Sequence, residues 1–530
     1  MDPVDSDRVG ADSGGGQPRL PALVAGWVGL LSLVAALAAG HLVAALVDPG
    51  ASPYLAVGNT AIDMAPAWLK DFAISTFGTY DKPVLLAGMA VVLAGLGVLA
   101  GLASRRGPVP GAVVALVLGV VGLLAVLYRP DLGELAILSP LASLLVGLVA
   151  FRWLHELAVL AVRSRDATPG AQGGADRRTF LRASAGLAAG AGVAGVAGQL
   201  LAARVDVEGS RSAVGAIVPA TPPPPLPPGA DFAASGTPRF ITSNRDFYRI
   251  DTALVVPKLR AQEWTLRVHG LVDRELTLSY EDIRRRPLVA STVTLTCVSN
   301  EVGGGYVSTA EFVGVPLRDL LLDAGVRPGC DQLYSSSVDG FTAGTPIADV
   351  LDPNRGALLA IGMNGEPLPV EHGFPARMVV PGLYGYVSAT KWLTELELTT
   401  FEARQGYWVP RGWAARAPIK TQSRIDNPAD GASVEPGRVT VAGVAWAQHT
   451  GIDRVEVRVD DGPWREAELS TEVSIDTWRM WRTQLELSPG RYVLRCRATD
   501  RSGHTQTEQQ APPVPDGATG WHSVAVTVQG

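Results

Sequence analysis

Cysteine is scarce, with only Cys297, Cys330 and Cys496 in 530 residues. Three scattered thiols cannot build a disulfide scaffold or a structural zinc site, and no Cys-x-x-Cys-His run offers a covalent haem attachment. Any metal must be held in some other way. Charge is scarce too: Asp, Glu, Lys and Arg make up 18% of the chain, and the net charge is −6. A nucleic-acid partner is excluded on that ground, because neutralising phosphates needs a basic face and neither end of the chain carries a basic tail.

Apolar residues are plentiful, at 47% of the chain, and the mean hydropathy is +0.19. Five stretches, 21–47, 83–104, 107–128, 135–151 and 183–203, contain no Asp, Glu, Lys or Arg. Four of them match the ~20 residues that cross ~30 Å of hydrocarbon. The short one extends through Phe151, Trp153, Leu154, Leu157 and Leu160, with Arg152, His155 and Glu156 placed where such side chains snorkel. Five membrane spans are therefore predicted. Arg105 and Arg106, then Arg163, Arg165, Arg177, Arg178 and Arg182, mark two loops as cytoplasmic. The loop 48–82 sets Lys70 and Lys82 against Asp48, Asp63, Asp71 and Asp81, and a lone Arg129 follows the third span, so both of these loops suit the outer side. Everything after residue 203 is then outside a bacterial plasma membrane, and the tail 1–20 is inside.

The run Asp176-Arg-Arg-Thr-Phe-Leu-Arg182, ahead of a Gly- and Ala-rich fifth span, resembles a twin-arginine export signal placed internally. That route carries folded proteins and suits a domain loaded with a large cofactor before it crosses. Gly190-Ala-Gly-Val-Ala-Gly195 matches the dinucleotide fingerprint G-x-G-x-x-G, but it follows no strand and lies inside a span. Helix packing through Gly186 and Gly190 is the expected role of that run.

The domain plan has six parts: a tail 1–20, a four-helix transmembrane region 21–165, the signal and fifth helix 166–203, a Pro-rich linker 204–238, an α+β catalytic domain 239–425, and a β-sandwich 426–530. Pro219 to Pro228 reads as a polyproline spacer. Strand-like runs at 264–270 and 292–297 and a helical stretch at 317–324 give the α+β reading. Alternating apolar pairs at Val439/Val441, Val455/Val457/Val459, Leu485/Leu487, Tyr492/Leu494/Cys496 and Val524/Val526/Val528, separated by turn signals, give an Ig-like sandwich.

Four motifs carry the chemistry: Thr294-Leu-Thr-Cys-Val-Ser-Asn300, Met363-Asn-Gly-Glu-Pro-Leu-Pro369, His372-Gly-Phe-Pro-Ala-Arg-Met-Val-Val-Pro381 and Lys391-Trp392. In this order they resemble the sulfite oxidase family of molybdopterin-dependent oxidoreductases, here as a membrane-anchored bacterial type, and the resemblance spans 239–530. Gly443-Val-Ala-Trp446 and Gly520-Trp-His-Ser-Val524 look like that family's dimerisation domain, which implies a homodimer through the C-terminal domain. The resemblance implies that the Cys297 thiolate, catalytic residue and metal ligand in one, binds molybdenum beside the dithiolene of molybdopterin. A soft thiolate suits such a centre. By the same resemblance His372, Arg377, Ala389, Thr390 and Lys391 contact the cofactor, as do Asn244, Phe247, Tyr248, Arg249 and Asp339.

The departures bear on substrate. Sulfite oxidases carry an Arg pair just after the cysteine motif, whereas Glu301 and Val302 stand here, and a carboxylate repels sulfite. The segment before Lys391 is one residue longer, and the family's active-site tyrosine has no clean counterpart among Tyr407, Trp408, Arg411 and Trp413. Bacterial periplasmic methionine-sulfoxide reductases also lack the pair. The expected function is oxygen-atom transfer on a small-molecule sulfoxide, N-oxide or other organic substrate. Its rivals are a sulfite dehydrogenase or oxidase and, in another class, a non-enzymatic tethered β-sandwich module that has lost its metal. No iron-sulfur cysteines are present, and the spans offer only His41 and His155, roughly 20 Å apart along the normal at 1.5 Å per residue. No haem is expected within this chain, and electrons are expected to pass to or from an external partner: a quinone, a cytochrome or a membrane protein. His269, His449, His504 and His522 are expected to be structural or exposed.

Overall fold

The computed structural model describes residues 19–66, 80–129, 132–167, 171–202 and 204–530, and of 67–79 only 69, 72, 73, 76 and 77; it leaves out the side chains of 165–175. The tail 1–18, Lys70, Asp71 and the Arg165 side chain thus lie outside the described residues. The chain forms two compact units, Met1–Arg204 and Val205–Gly530.

The first unit contains α1 (Ala22–Val47), α2 (Pro53–Met64), α3 (Asp81–Ala103), α4 (Val109–Leu127), α5 (Leu138–Ala167) and α6 (Ala171–Ala202). All but α2 are long and apolar enough to cross a membrane. Glycine lets α1 and α3 meet at backbone distance: a Cβ on Gly29 would lie 2.0 Å from the Gly97 carbonyl oxygen, and one on Gly101 would lie 1.9 Å from that of Ala25. Gly186 and Gly190 do not share that role, since nothing lies within 4 Å of a Cβ on either. Their small-residue spacing is real, but no described helix packs there. Arg177, Arg178 and Arg182 are exposed in the opening turns of α6, whereas Phe180 turns inward onto Leu20, Phe151 and Leu154.

The second unit begins with a helix, α7 (Val207–Val214). Its strands are β1 (Thr265–Gly270), β2 (Leu276–Ser279), β3 (Val289–Thr296), β4 (Val307–Pro316), β5 (Gln332–Ser337), β6 (Thr342–Pro346), β7 (Leu358–Met363), β8 (Glu366–Pro367), β9 (Arg377–Val379) and β10 (Leu393–Thr399). One sheet runs β2-β1-β10-β5-β6 and another β3-β4-β7-β8, with β9 beside β7. The helix α8 (Leu317–Ala324) buries Leu317, Leu320, Leu321 and Ala324, one face at the helical repeat. The expected α+β pattern is present.

Past these lie β11 (Gln422–Asn427), β12 (Ala432–Val434), β13 (Gly437–Trp446), β14 (Ile452–Val459), β15 (Arg465–Glu466), β16 (Glu468–Leu469), β17 (Arg479–Leu487), β18 (Gly490–Asp500) and β19 (His522–Val528). The sheets β11-β13-β17-β16 and β12-β19-β18-β14-β15 close over one core, to which Val441, Trp481 and Leu485 come from the first and Val455, Leu494 and Val524 from the second. Because β11 pairs along β13 from Gln422 onward, the sandwich starts before the expected boundary at 426.

The expected linker 204–238 is also corrected, because residues 205–238 lie along the second unit instead of spacing it away. Val207, Val214 and Ile217 enter its main core, Arg211 pairs with Glu366 at 2.8 Å, and Ala220 N–H donates to the Leu288 carbonyl at 2.8 Å. Phe232 packs with Phe240, Trp446 and Trp478.

Candidate active site

The β3–β4 hairpin pairs Thr296 with Val307, so Cys297 is the first residue past the strand and residues 298–306 close the loop. Cys297 is 9% exposed, and its N–H donates to the Tyr306 carbonyl at 3.0 Å. Burial pushes its thiol pKa up, opposed by hydrogen bonds from Ser299. Metal binding must therefore displace a proton from this sulfur.

Beside Cys297 stands a phenol, and that phenol also feels a buried cation. Tyr248 stacks on Phe247 at 5.4 Å and faces Tyr306 at 6.3 Å. Burial raises its pKa far above the ordinary value, and the charges of Cys297 and Arg377 act on it as well. Its hydroxyl lies 3.6 Å from where a Cβ of Gly385 would stand, and the Thr296 carbonyl oxygen lies 3.8 Å from the same point, so Gly385 packs close to both. Arg377, at 4% exposure, donates to the carbonyls of His372 (3.2 Å) and Ala389 (3.3 Å) and sits 5.6 Å over the Phe312 ring. No carboxylate among the described residues pairs with it, and burial lowers its pKa to about 10. A buried guanidinium with only neutral acceptors carries an uncompensated desolvation cost.

His372 is buried, and its Nε2 lies 2.9 Å from the Asn244 carbonyl. Since that partner only accepts, Nε2 carries the proton and Nδ1 is the bare acceptor. Burial lowers its pKa to about 4. Lys391 Nζ donates to Asp251 at 2.9 Å and to the Glu371 carbonyl at 3.2 Å and lies 4.5 Å over the Trp392 ring; burial lowers its pKa to about 8. Asp251 also takes Arg249 Nε at 2.8 Å, and Asp339, raised by burial and then by Asp251, completes this charged group. Gly373 joins the two groups, since a Cβ there would meet Lys391 Cβ at 3.0 Å and Arg377 Cβ at 3.2 Å.

The sequence-predicted residues thus divide. Cys297, Tyr248, Arg377, His372 and the Ala389 carbonyl come together, and Lys391, Arg249 and Asp339 adjoin them through Asp251. Asn244 contributes its carbonyl to His372 while its side chain turns to Asn364. Phe247 is an apolar wall against Phe312 and His372. The Thr390 hydroxyl bonds Ser335 Oγ at 2.8 Å, and its carbonyl accepts from Met378 N–H at 2.9 Å. Glu301 is exposed, and Val302 lies beside Gly520. Sequence reasoning missed Asp251, which binds both basic side chains, and Tyr384, whose hydroxyl burial raises to about 12 and on which the Cys297 charge acts.

Do these residues fit a pterin-borne metal? Among the described residues no three His, Cys, Asp or Glu side chains gather to hold a metal ion, so a metal here must bring most of its ligands. One buried thiol and a buried cation with no carboxylate partner among the described residues suit a cofactor that supplies sulfur ligands and a phosphate.

Of the remaining histidines, His522 is structural: its Nδ1 accepts from Ile425 N–H at 3.0 Å, and burial lowers its pKa to about 4. With both His372 and His522 held near 4 against an ordinary 6.5, the unfolded chain binds more protons than the folded one between those values. Stability is therefore present above that window and is lost as pH falls through it. The apoprotein melting temperature should fall from pH 6.5 to 4, and His522→Gln should flatten that slope; a slope unchanged in the variant would remove His522 as a cause.

Residues 253–408 match the family model of the oxidoreductase molybdopterin binding domain, and 414–529 that of the Mo-co oxidoreductase dimerisation domain. The chain is 34% identical over 322 residues to mitochondrial sulfite oxidase of Mus musculus, covering 52% of this chain and 58% of that protein. It is 30% identical over 322 residues to sulfite oxidase of Gallus gallus, covering 52% and 70%, and 36% identical over 154 residues to an uncharacterized oxidoreductase of Bacillus subtilis, covering 29% and 74%. The match thus spans less than two thirds of the mouse protein's length.

Proposed function

Because the chain belongs to the sulfite oxidase family of molybdopterin-dependent oxidoreductases, we propose that it catalyses oxygen-atom transfer on an organic sulfoxide or N-oxide at the outer face of a bacterial plasma membrane. The observation that carries this reading is that Tyr248 feels both the buried Cys297 thiol and the buried Arg377, which has no carboxylate partner among the described residues. The cofactor is molybdenum–molybdopterin, and when bound it supplies a two-electron redox change at an oxygen-accepting metal. Cys297 is its protein ligand, Arg377 receives its phosphate or anionic edge, His372 offers Nδ1 as acceptor, and Lys391 with Arg249, both steadied by Asp251, supplies further positive charge. Tyr248 keeps its hydroxyl proton across the physiological range and so has a donor to offer a bound group beside Cys297. Reducing a sulfoxide takes a pair of electrons and protons and releases water, so an external electron donor completes the cycle.

An organic substrate is favoured by the residues where an anion would sit. Neither Glu301 nor Val302 is basic, and past Gly385 half-buried aromatics follow, with Tyr386 5.9 Å from Trp413 and Trp413 6.2 Å from Trp408. Sulfite oxidation is the second reading, supported by the names of the mouse and chicken relatives. The five long apolar helices and the Lys and Arg bias support a multi-pass anchor with the second unit outside; Arg177 and Arg178 support a twin-arginine route, and residues 426–530 support an Ig-like dimerisation domain. Steady-state assays of the cofactor-loaded full chain against sulfite, sulfoxides and N-oxides test the assignment. We expect turnover of at least one organic oxide at a kcat/KM well above that for sulfite; efficient sulfite oxidation with no oxide reduced would replace the first reading by the second.

A further inference from the structure

We infer that the C-terminal domain fixes the position of Cys297, with Gln448 as its chief positioning residue. This rests on the assignment of Cys297 as the metal ligand. The grip acts on both sides of the cysteine. Ahead of it, Gln448 Nε2 donates to the Thr294 carbonyl and to Thr296 Oγ1, each at 2.9 Å. Thr294 N–H donates to the Asp476 carbonyl at 2.9 Å, and Trp478 N–H donates to Thr294 Oγ1 at 2.7 Å. Behind it, Arg424 Nη1 donates to the Gly304 carbonyl at 2.8 Å. Gly303, at φ +80, lies so close to His522 that a Cβ there would stand 2.2 Å from the imidazole Cδ2. All five partners, Gln448, Asp476, Trp478, Arg424 and His522, belong to the sandwich domain, and none is a cofactor contact.

Two features separate this arrangement from ordinary domain packing. Cys297 lies past the last pair of the β3–β4 ladder, where a hairpin end frays most readily, yet a metal ligand must be held within ~0.5 Å of its productive position. Gln448 itself is 3% exposed, and its Oε1 is buried without a partner. An unsatisfied buried acceptor costs stability, and an apolar side chain of the same shape would avoid that cost. The amide is accounted for by its two bonds to the residues just ahead of Cys297.

The test uses the loaded full chain and the electron paramagnetic resonance spectrum of its Mo(V) form. Gln448→Met removes both donations at similar volume, and Thr296→Val removes the hydroxyl acceptor at constant shape; Thr296→Ser keeps it. We expect Gln448→Met and Thr296→Val to retain molybdenum at the native ratio to protein but to shift the g values, with Thr296→Ser giving the native spectrum. Should one of the two fail to fold, the other carries the test. Native spectra in both, with only a lowered melting temperature, would reduce the contact to packing and overturn the inference. A native spectrum in Cys297→Ser would instead overturn the ligand assignment itself, and the two failures are thereby told apart.

Discussion

Cys297→Ser is expected to cut turnover steeply and to lower the molybdenum bound per chain while leaving the fold in place. Serine fills nearly the same volume at a position 9% exposed, so little packing is lost. The alcohol is a harder and far less acidic ligand than a thiol, and it binds a soft, sulfur-rich centre poorly. Losing a partner one bond removed from a metal costs ~10–100-fold in affinity or activity; losing the ligand should exceed that, on the order of 10³-fold in kcat/KM, or about 4 kcal/mol of transition-state stabilisation. Metal analysis together with steady-state kinetics checks it. Near-native turnover in the variant would place the chemistry elsewhere.

The second large effect falls on Arg377. Without cofactor its guanidinium is buried among carbonyls with no anion among the described residues, so Arg377→Met should leave the apoprotein's melting temperature nearly unchanged, the relief of desolvation offsetting the lost hydrogen bonds. With cofactor the outcome reverses. A charged pair truncated on one side leaves the other charge buried alone and costs about 3–5 kcal/mol, so the variant should lose most of the ligand-induced rise in melting temperature. Thermal melts of apo and loaded forms of both proteins decide it. A large destabilisation of the apoprotein alone would make Arg377 a structural residue.

The legible parts of this molecule were those whose signal is local. Val524/Val526/Val528 alternate because one face of β19 is buried and the other is not, whereas β13 is buried on both faces from Val441 to Trp446; the uncharged runs match α1, α3 and α4 within a few residues, but α5 runs on to Ala167 and α6 begins at Ala171, well outside theirs. The Pro-rich segment reads as a spacer because Val207, Ile217 and Phe232 find their partners only once the surface of the second unit exists; locally they look like isolated apolar residues beside a polyproline tract. Gly186 and Gly190 have the spacing of a packing face, but spacing does not supply the neighbour. At the site, the motifs supplied Cys297, His372, Arg377 and Lys391. Asp251 reaches Lys391 across 140 residues and Gln448 reaches Thr296 across 152, separations at which one sequence carries no pairing signal. The Thr390 hydroxyl, inside a contact motif, bonds to Ser335 across 55 residues, a pairing that one sequence does not signal.

Sulfur coordination at the metal is the most direct test. X-ray absorption at the molybdenum edge, measured on the loaded full chain and on whatever molybdenum Cys297→Ser retains, counts the sulfur neighbours in each. The account requires one sulfur fewer in the variant, with the pterin sulfurs unchanged. An identical sulfur shell in the two proteins would contradict it, because Cys297 would then not be bound to the metal.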